Sequence, residues 1–229
     1  MKTVAVLARK GGSGKTTLAV HLAVLASETG RQVLLVDTDP QRSATDWWKA
    51  RALGAFGSRS PRLVTCAAKS IPQVLDAADG DGIDLVVVDT RPSVEADTSQ
   101  VAQLADLVLI PTRPGILDLR AIRPTTEVVK AVRRPADKAT LAAMIVLNGV
   151  PPARGPGENR LATEARAALA KYGLAVATAT IGNRAAFAHA LIDGRSVTEF
   201  EPAGKAADEL RLLFTIMGKI LWPEAPAPR

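Results

Sequence analysis

The chain has 229 residues, 47% of them hydrophobic, which is enough to bury one substantial core. Lysine and arginine exceed aspartate and glutamate by 29 to 23, a surplus that suits a polyanionic partner but fits a merely basic surface equally well. The single cysteine, Cys66, excludes an internal disulfide, and no stretch approaches the roughly 18 apolar residues of a membrane span. We therefore expect a cytoplasmic protein.

Short runs rich in valine and leucine alternate along the chain with segments of helical periodicity. The predicted strands are Thr3–Ala8, Gln32–Asp37, Arg62–Ala67, Asp84–Asp89, Leu107–Pro111, Leu141–Leu147 and Leu174–Thr180. The predicted helices are Lys15–Thr29, Ser43–Ala52, Ile71–Ala78, Asp97–Leu104, Leu119–Val132, Glu158–Lys171, Ala185–Leu191 and Ala203–Leu221. This alternation indicates a single-domain α/β fold with a mostly parallel sheet flanked by helices on both faces. We expect the domain to span residues 1–222, followed by a disordered tail at residues 223–229.

The first predicted strand runs into the sequence ARKGGSGKTT and then into a predicted helix. This order is typical of a nucleotide phosphate loop, because glycines let backbone N–H groups and the helix N-terminus surround phosphate oxygens. In such a loop Lys15 bridges the β and γ phosphates of ATP, and the Thr16 hydroxyl binds Mg²⁺. The predicted nucleotide-binding residues of the loop are Gly11, Gly12, Ser13, Gly14, Lys15, Thr16 and Thr17.

The loop departs from the usual phosphate-loop pattern at two positions. Arg9 stands where the first glycine is expected, six residues before Lys15, and Lys10 adds a second lysine. This variant resembles the deviant Walker A loop of the ParA/MinD-type ATPases, which have a P-loop NTPase fold. The resemblance implies that Lys10 reaches the phosphates bound by a second subunit, so that ATP and not ADP holds a homodimer together. The alternative is a solvated lysine on a surface loop.

Acidic residues follow two of the predicted strands. Asp37 and Asp39 follow the second strand and Asp89 ends the fourth, so all three should lie at the carboxyl edge of the sheet beside the phosphate loop. The resemblance implies that Asp37 and Asp89 lie at the Mg²⁺ with Thr16, and that Asp39 orients or activates the attacking water. Together with the two lysines of the loop, Asp39 forms the predicted catalytic set. Alternatively, the first two carboxylates only cap the turn that follows them.

The resemblance covers nearly the whole chain. It includes the segments DTDPQRSATDWWKA, DTRPS, ADLVLIPTRPGILDLRA and LIDGRSVTEFEPAGKAADEL, which are most similar to small plasmid ParA proteins of the ParF-like group. Asn148 lies where the resemblance implies an adenine contact, although an Asn-Gly pair is also ordinary turn chemistry. Arg91 departs from the family's pattern, and either stabilises charge near the γ-phosphate or, as we expect, points outward.

The function implied by the resemblance is a slow, Mg²⁺-dependent ATPase that partitions DNA. ATP would drive dimerisation and nonspecific attachment to nucleoid DNA, and a ParB-type centromere-binding partner would stimulate hydrolysis to ADP. The alternative is the same cycle applied to non-DNA cargo, such as protein arrays or secretion machinery, or acting at the membrane. No stable membrane binding is expected, since the apolar residues of the last helix fit core packing better than a membrane surface.

Nonspecific DNA binding requires cations that line up along phosphates. The candidates are Arg184, Arg195, Lys205 and Arg211 near the C-terminal helices, with Arg154 and Arg160 in the preceding loop. Each one taken alone is more often a solvated surface residue.

Overall fold

The computed structural model describes residues 1–54, 60–92, 95–132, 141–153 and 159–223. The strands are β1 (Lys2–Val6), β2 (Val33–Asp37), β3 (Arg62–Thr65), β4 (Leu85–Asp89), β5 (Leu107–Thr112), β6 (Ala142–Val150) and β7 (Ala175–Gly182). They form one sheet in the order β3-β2-β4-β1-β5-β6-β7, with every pairing parallel. All seven predicted strands are confirmed. Because β1 is central, the loop after it opens at the middle of the carboxyl edge of the sheet.

The helices that connect these strands agree with the sequence patterns except near residue 122. They are α1 (Lys15–Glu28), α2 (Ser43–Leu53), α3 (Ile71–Gly80), α4 (Glu95–Leu104), α5 (Ile116–Ala121), α6 (Arg123–Val132), α7 (Arg160–Ala170), α8 (Ala185–Ile192), α9 (Val197–Phe200) and α10 (Lys205–Leu221). The single helix predicted over 119–132 is therefore wrong, because the chain divides it at Ile122. Pro124 explains the break, since it has no N–H to donate to the carbonyl oxygen of Arg120 four residues earlier, and its ring crowds that carbonyl. The one-turn helix α9 was not predicted.

Alternating residues of the strands build two separate cores, one on each face of the sheet. Val4 and Val6 of β1 face α1, α2, α8, α9 and α10, whereas Ala5 and Leu7 face α3 to α7. The central strands are buried on both sides, which explains why they are nearly continuous runs of valine and leucine. The predicted helices on both faces of the sheet are confirmed.

A buried ion pair joins α2 to α9, at the end of the segment that connects α8 to α9. The Arg51 guanidinium donates to both carboxylate oxygens of Glu199, at 2.8 and 2.7 Å, and Glu199 also accepts from the backbone N–H of Ser196 at 2.8 Å. Gly194 has a φ of +76°, and a Cβ there would lie 2.1 Å from the Arg51 backbone nitrogen. The LIDGRSV sequence therefore serves to fasten this segment against α2.

A buried histidine joins the same segment to α1, the helix that follows the phosphate loop. His21 is fully buried, and its Nδ1 accepts the backbone N–H of Val197 at 3.1 Å. Its Nε2 lies 3.3 Å from the Phe187 carbonyl oxygen, which requires the proton on Nε2. Burial lowers the pKa of His21 to about 4, outweighing the hydrogen bond to Phe187 and the charge of Glu199. The ring is therefore neutral near pH 7.

The last helix, α10, packs one face into the core. Its buried face includes Leu210, Leu213 and Met217, while Leu212 is half-exposed on the opposite side. This placement agrees with the predicted core packing. Among the residues that the structure describes, no helix is both long and apolar enough to cross a membrane. The predicted tail at 223–229 lies outside the described residues from residue 224 onward.

Candidate nucleotide site at the carboxyl edge of the sheet

The phosphate loop connects β1 to α1 at the centre of the sheet. Gly14 ends the loop with a φ of +93°, a left-handed conformation that favours glycine. A Cβ at Gly14 would also lie 2.0 Å from Nδ2 of Asn148, so a larger residue there would clash. The first backbone N–H groups of α1 point toward the loop, and the helix dipole favours an anion at this end. The local geometry is therefore that of a phosphate site.

Asn148, the predicted adenine contact, lies against the phosphate loop itself. It comes from the carboxyl end of β6, is 9% exposed, and its Nδ2 donates to the Ser13 carbonyl oxygen at 2.7 Å. This hydrogen bond holds the backbone of the loop in place, a role that the sequence pattern did not predict. An adenine contact by the same side chain stays a prediction.

The Asp37 carboxylate holds the segment that carries Asp39. Asp37 is buried, and its two oxygens accept from the Asp39 N–H at 3.0 Å, the Thr45 N–H at 2.9 Å and the Thr45 hydroxyl at 2.7 Å. Asp39 accepts the N–H of Gln41 at 2.9 Å. Both carboxylates therefore take part in local capping, which the sequence analysis held as an alternative. A contact between Asp37 and Mg²⁺ stays a prediction.

Asp89 is the fully buried carboxylate at the end of β4, and it lies within electrostatic reach of Thr16 and Lys15. It stands in register with Asp37 on the neighbouring strand and with Val6 on β1, is fully buried, and neither of its oxygens accepts a hydrogen bond from any described residue. Burial raises the pKa of Asp89 to about 7; Thr16 and Lys15 nearby lower it, and the neighbouring carboxylates raise it further. A buried carboxylate with free oxygens beside a hydroxyl fits a divalent cation.

Lys15 lies buried beside this carboxylate. Burial lowers its pKa, and the negative charges of Asp89 and Asp39 partly oppose that effect. In the described ranges, Lys15 makes no ion pair within 4 Å. The lysine and the carboxylate are both desolvated without a direct counterion, an arrangement that suits a bound metal–triphosphate. When bound, that group supplies the phosphoryl bond to be broken and the cation that neutralises its charge.

Lys10 points toward the opposite side of β1 from these carboxylates. Its Nζ lies 2.7 Å from an oxygen of Asp118 on α5, the helix that follows β5. Asp39 and Asp89 follow β2 and β4, which lie on the other side of β1. The ammonium of Lys10 is thus separated from the site that Lys15 occupies. The sequence analysis did not predict Asp118 as its partner.

A cleft of about 530 Å³ lies beside the phosphate loop, between the segments that carry Asp39 and Arg91. Arg91 is exposed and pairs at its rim with Asp97, whose carboxylate lies 2.6 Å away. The expectation that Arg91 points outward agrees with this exposure. The cleft adjoins Asp39 but its lining includes no residue of the phosphate loop, so it is not the phosphate pocket.

Most candidate DNA-binding arginines have acidic partners within the chain. Arg184 forms a bidentate ion pair with Glu209, and both side chains are partly exposed. The other pairs are Arg195 with Asp193, Arg211 with Asp208, and Arg160 with Glu164. Lys205 is exposed at the start of α10, and Arg154 lies outside the described residues. Because these pairs reduce the local positive charge, the structure brings together no row of unpaired arginines from this set, and their contact with DNA stays a prediction.

The chain belongs to the CobQ/CobB/MinD/ParA nucleotide-binding domain family, whose profile matches residues 4–197. It is 36% identical over 210 residues to the maintenance of carboxysome distribution protein A of Gloeobacter kilaueensis, covering 91% of this chain and 88% of that protein. It is 33% identical to protein ParA of Rhizobium radiobacter over 67% of each chain. The structure superimposes on the cell division ATPase MinD of Pyrococcus furiosus with a TM-score of 0.71 and 20% identity, over 96% of this chain and 99% of that one.

These matches confirm the predicted resemblance and the predicted fold. The chain is a nucleotide-binding ATPase of the ParA/MinD family. Its glycine-rich loop, the buried Lys15 and the buried Asp89 lie at the carboxyl edge of its parallel sheet.

Proposed function

We propose that this chain is an ATP-driven positioning ATPase whose ATP-bound form is a homodimer. The observation that carries the proposal is the division of labour between two lysines. Lys15 is buried beside Asp89 on one side of the loop, whereas Lys10 is 44% exposed and directed to the other side, where it pairs with Asp118. A lysine placed there is available to a second subunit and is poorly placed to serve its own nucleotide.

Each residue of the site would have a separate task in the cycle. Lys15 and Thr16 would hold the phosphates and Mg²⁺, and the free oxygens of Asp89 would hold the metal's ligand shell. Asp39, positioned by the capping of Asp37, would orient the attacking water. Phosphoryl transfer depends mainly on positioning and on charge stabilisation, so Lys10 of the partner subunit would complete the site at the dimer interface.

A dimerisation measurement tests this proposal directly. The wild type should be monomeric in ADP and dimeric in a nonhydrolysable ATP analogue with Mg²⁺, as measured by light scattering after gel filtration. Lys10→Ala should stay monomeric in both nucleotides while still binding the analogue. Lys49→Ala is the matched control, because Lys49 is exposed and its ion pair among the described residues is with Asp46 of its own helix. A Lys10→Ala protein that dimerises with the analogue as the wild type does would overturn the proposal.

The relatives point to different cargoes for this chain. The carboxysome-distribution relative matches more of the chain, and at slightly higher identity, than the ParA relative does. The name of the first relative favours a protein body as the cargo. Nonspecifically bound nucleoid DNA would be the track on which that body is carried. The second candidate is a DNA molecule bound by a ParB-type protein, which the ParA relative supports.

Two measurements separate these cargoes. Salt-dependent binding to random-sequence DNA should appear only in the ATP-analogue state, and its absence would remove DNA as the track. In the native host, deletion of the gene should leave plasmid inheritance unchanged if the cargo is a protein body, and should cluster that body. Plasmid loss without such clustering would instead establish DNA partition.

A further inference from the structure

The Lys10 ammonium and the Asp118 carboxylate form an ion pair that the phosphate site itself does not require. The Lys10 Nζ and the Asp118 Oδ1 lie 2.7 Å apart, and the Asp118 side chain is only 18% exposed. Asp118 is held by its own helix, since its backbone N–H donates to the Gly115 carbonyl oxygen at 2.9 Å. A fixed, largely buried carboxylate therefore captures the exposed end of a flexible lysine.

Two buried hydroxyl groups lie close to this ion pair, where the phosphate loop meets α5 and α6. Ser13 of the loop and Thr125 of α6 are 3% and 1% exposed, and within the described ranges neither hydroxyl has a hydrogen-bond partner. Both residues line one small cavity together with Lys10 and Asp118. Unsatisfied buried hydroxyls cost free energy, so the hydrogen bonding of this contact is incomplete, and the Lys10–Asp118 ion pair is a polar bond that crosses it.

We propose that Asp118 is a positioning residue that holds Lys10 in the monomer by standing in for the anion of a partner's nucleotide. This inference rests on the proposed function. The Lys10 ammonium carries a single positive charge, and a lysine that reaches across to another subunit has to leave Asp118, so dimerisation would exchange one anion for the other. The Asp118 carboxylate carries one negative charge, and the phosphates of the partner's nucleotide must compete with it for Lys10. Asp118 thereby makes dimerisation demand the more highly charged triphosphate and discriminate against ADP.

Removing the carboxylate charge should relax this discrimination. Asp118→Asn keeps the shape of the side chain but releases Lys10, so the dimer should form at about fivefold lower protein concentration in the ATP analogue, which is the range expected for loss of a partly exposed ion pair. A measurable dimer should also form in ADP. Asp118→Glu keeps the charge and should restore the wild-type nucleotide dependence, which a purely structural defect would not do.

A double-variant comparison shows whether Asp118 acts through Lys10. In a Lys10→Ala background, Asp118→Asn should have no further effect on self-association measured by sedimentation velocity. An Asp118→Asn protein with the wild-type dimer affinity in both nucleotides would overturn the proposal. A weaker dimer would overturn it as well, because it would make Asp118 a contact of the interface.

Zero-length cross-linking tests the ion pair without reference to dimerisation. A carbodiimide joins a carboxylate and an amine only when they touch, so peptides linked through Lys10 and Asp118 should be found by mass spectrometry in the nucleotide-free and ADP states. Their yield should fall severalfold in the ATP analogue. Equal yields in every state would overturn the exchange. If the wild-type protein stays monomeric in the analogue, both the proposed function and the positioning role of Asp118 are overturned. If cross-links are missing in the nucleotide-free chain, only the ion pair is overturned.

Discussion

Two buried ionisable groups should make the stability of the nucleotide-free protein depend on pH in opposite directions. His21 has its pKa lowered from the ordinary value of 6.5 to about 4, and Asp89 has its pKa raised from 3.8 to about 7, both mainly by burial. Below pH 6.5 the unfolded chain protonates His21 while the folded chain does not, so acidification destabilises the fold through this group. Below pH 7 the folded chain protonates Asp89 before the unfolded chain does, so acidification stabilises it.

The size of each effect follows from the two pKa values. Between pH 7 and pH 5, proton linkage makes His21 cost about 2 kcal/mol of unfolding free energy and makes Asp89 contribute about 2 kcal/mol. Their contributions to the wild-type profile should nearly cancel. His21→Gln should therefore gain about 2 kcal/mol relative to wild type on acidification, whereas Asp89→Asn should lose about 2 kcal/mol relative to wild type.

Urea denaturation at pH 7, 6 and 5 without nucleotide measures these differences. All other titrating groups are common to the three proteins, so the change in each variant is compared with the change in the wild type. His21→Gln also weakens two hydrogen bonds, which lowers the stability of this variant by the same amount at every pH. The change of its unfolding free energy with pH can therefore still be compared with that of the wild type. If both variants keep the wild-type slope, neither group titrates as its burial requires and the reasoning is refuted.

Three further changes should separate the tasks of the site from the needs of the fold. Asp39→Ala should bind ATP as the wild type does but lose stimulated turnover by at least about 100-fold, since positioning of the attacking water is lost; turnover above a tenth of wild type would contradict that role. Asn148→Ala removes the amide that holds the Ser13 carbonyl and should weaken ATP-analogue binding by about fivefold in calorimetry, and unchanged affinity would show that the loop is held without it. Glu199→Ala leaves Arg51 buried without its counterion and should lower the unfolding free energy by about 3 kcal/mol or more, whereas a loss under about 1 kcal/mol would contradict the buried pair.

The phosphate loop and the strand-end carboxylates were predictable from the sequence because they depend on local chemistry. A strand, a glycine-rich turn and a helix follow one another along the chain around Lys15, and parallel strands bring Asp37 and Asp89 to the same edge wherever they stand in the sequence. Seven short runs of strand-forming residues predicted the sheet for the same reason. One helix boundary was wrong at Ile122, because the periodic pattern continues across Pro124 although proline interrupts the helix.

The partners of these residues come from distant parts of the chain and depend on tertiary structure. Asp118 reaches Lys10 and Asn148 reaches Ser13 only because β5 and β6 follow β1 in the order of the sheet. The pairing of Arg184 with Glu209 likewise depends on how α10 packs against β7. By itself, the sequence determined the class of chemistry, since a phosphate loop is contiguous. Only the packed structure decided which charges are free to act, because a charge is free only when no distant residue folds back against it.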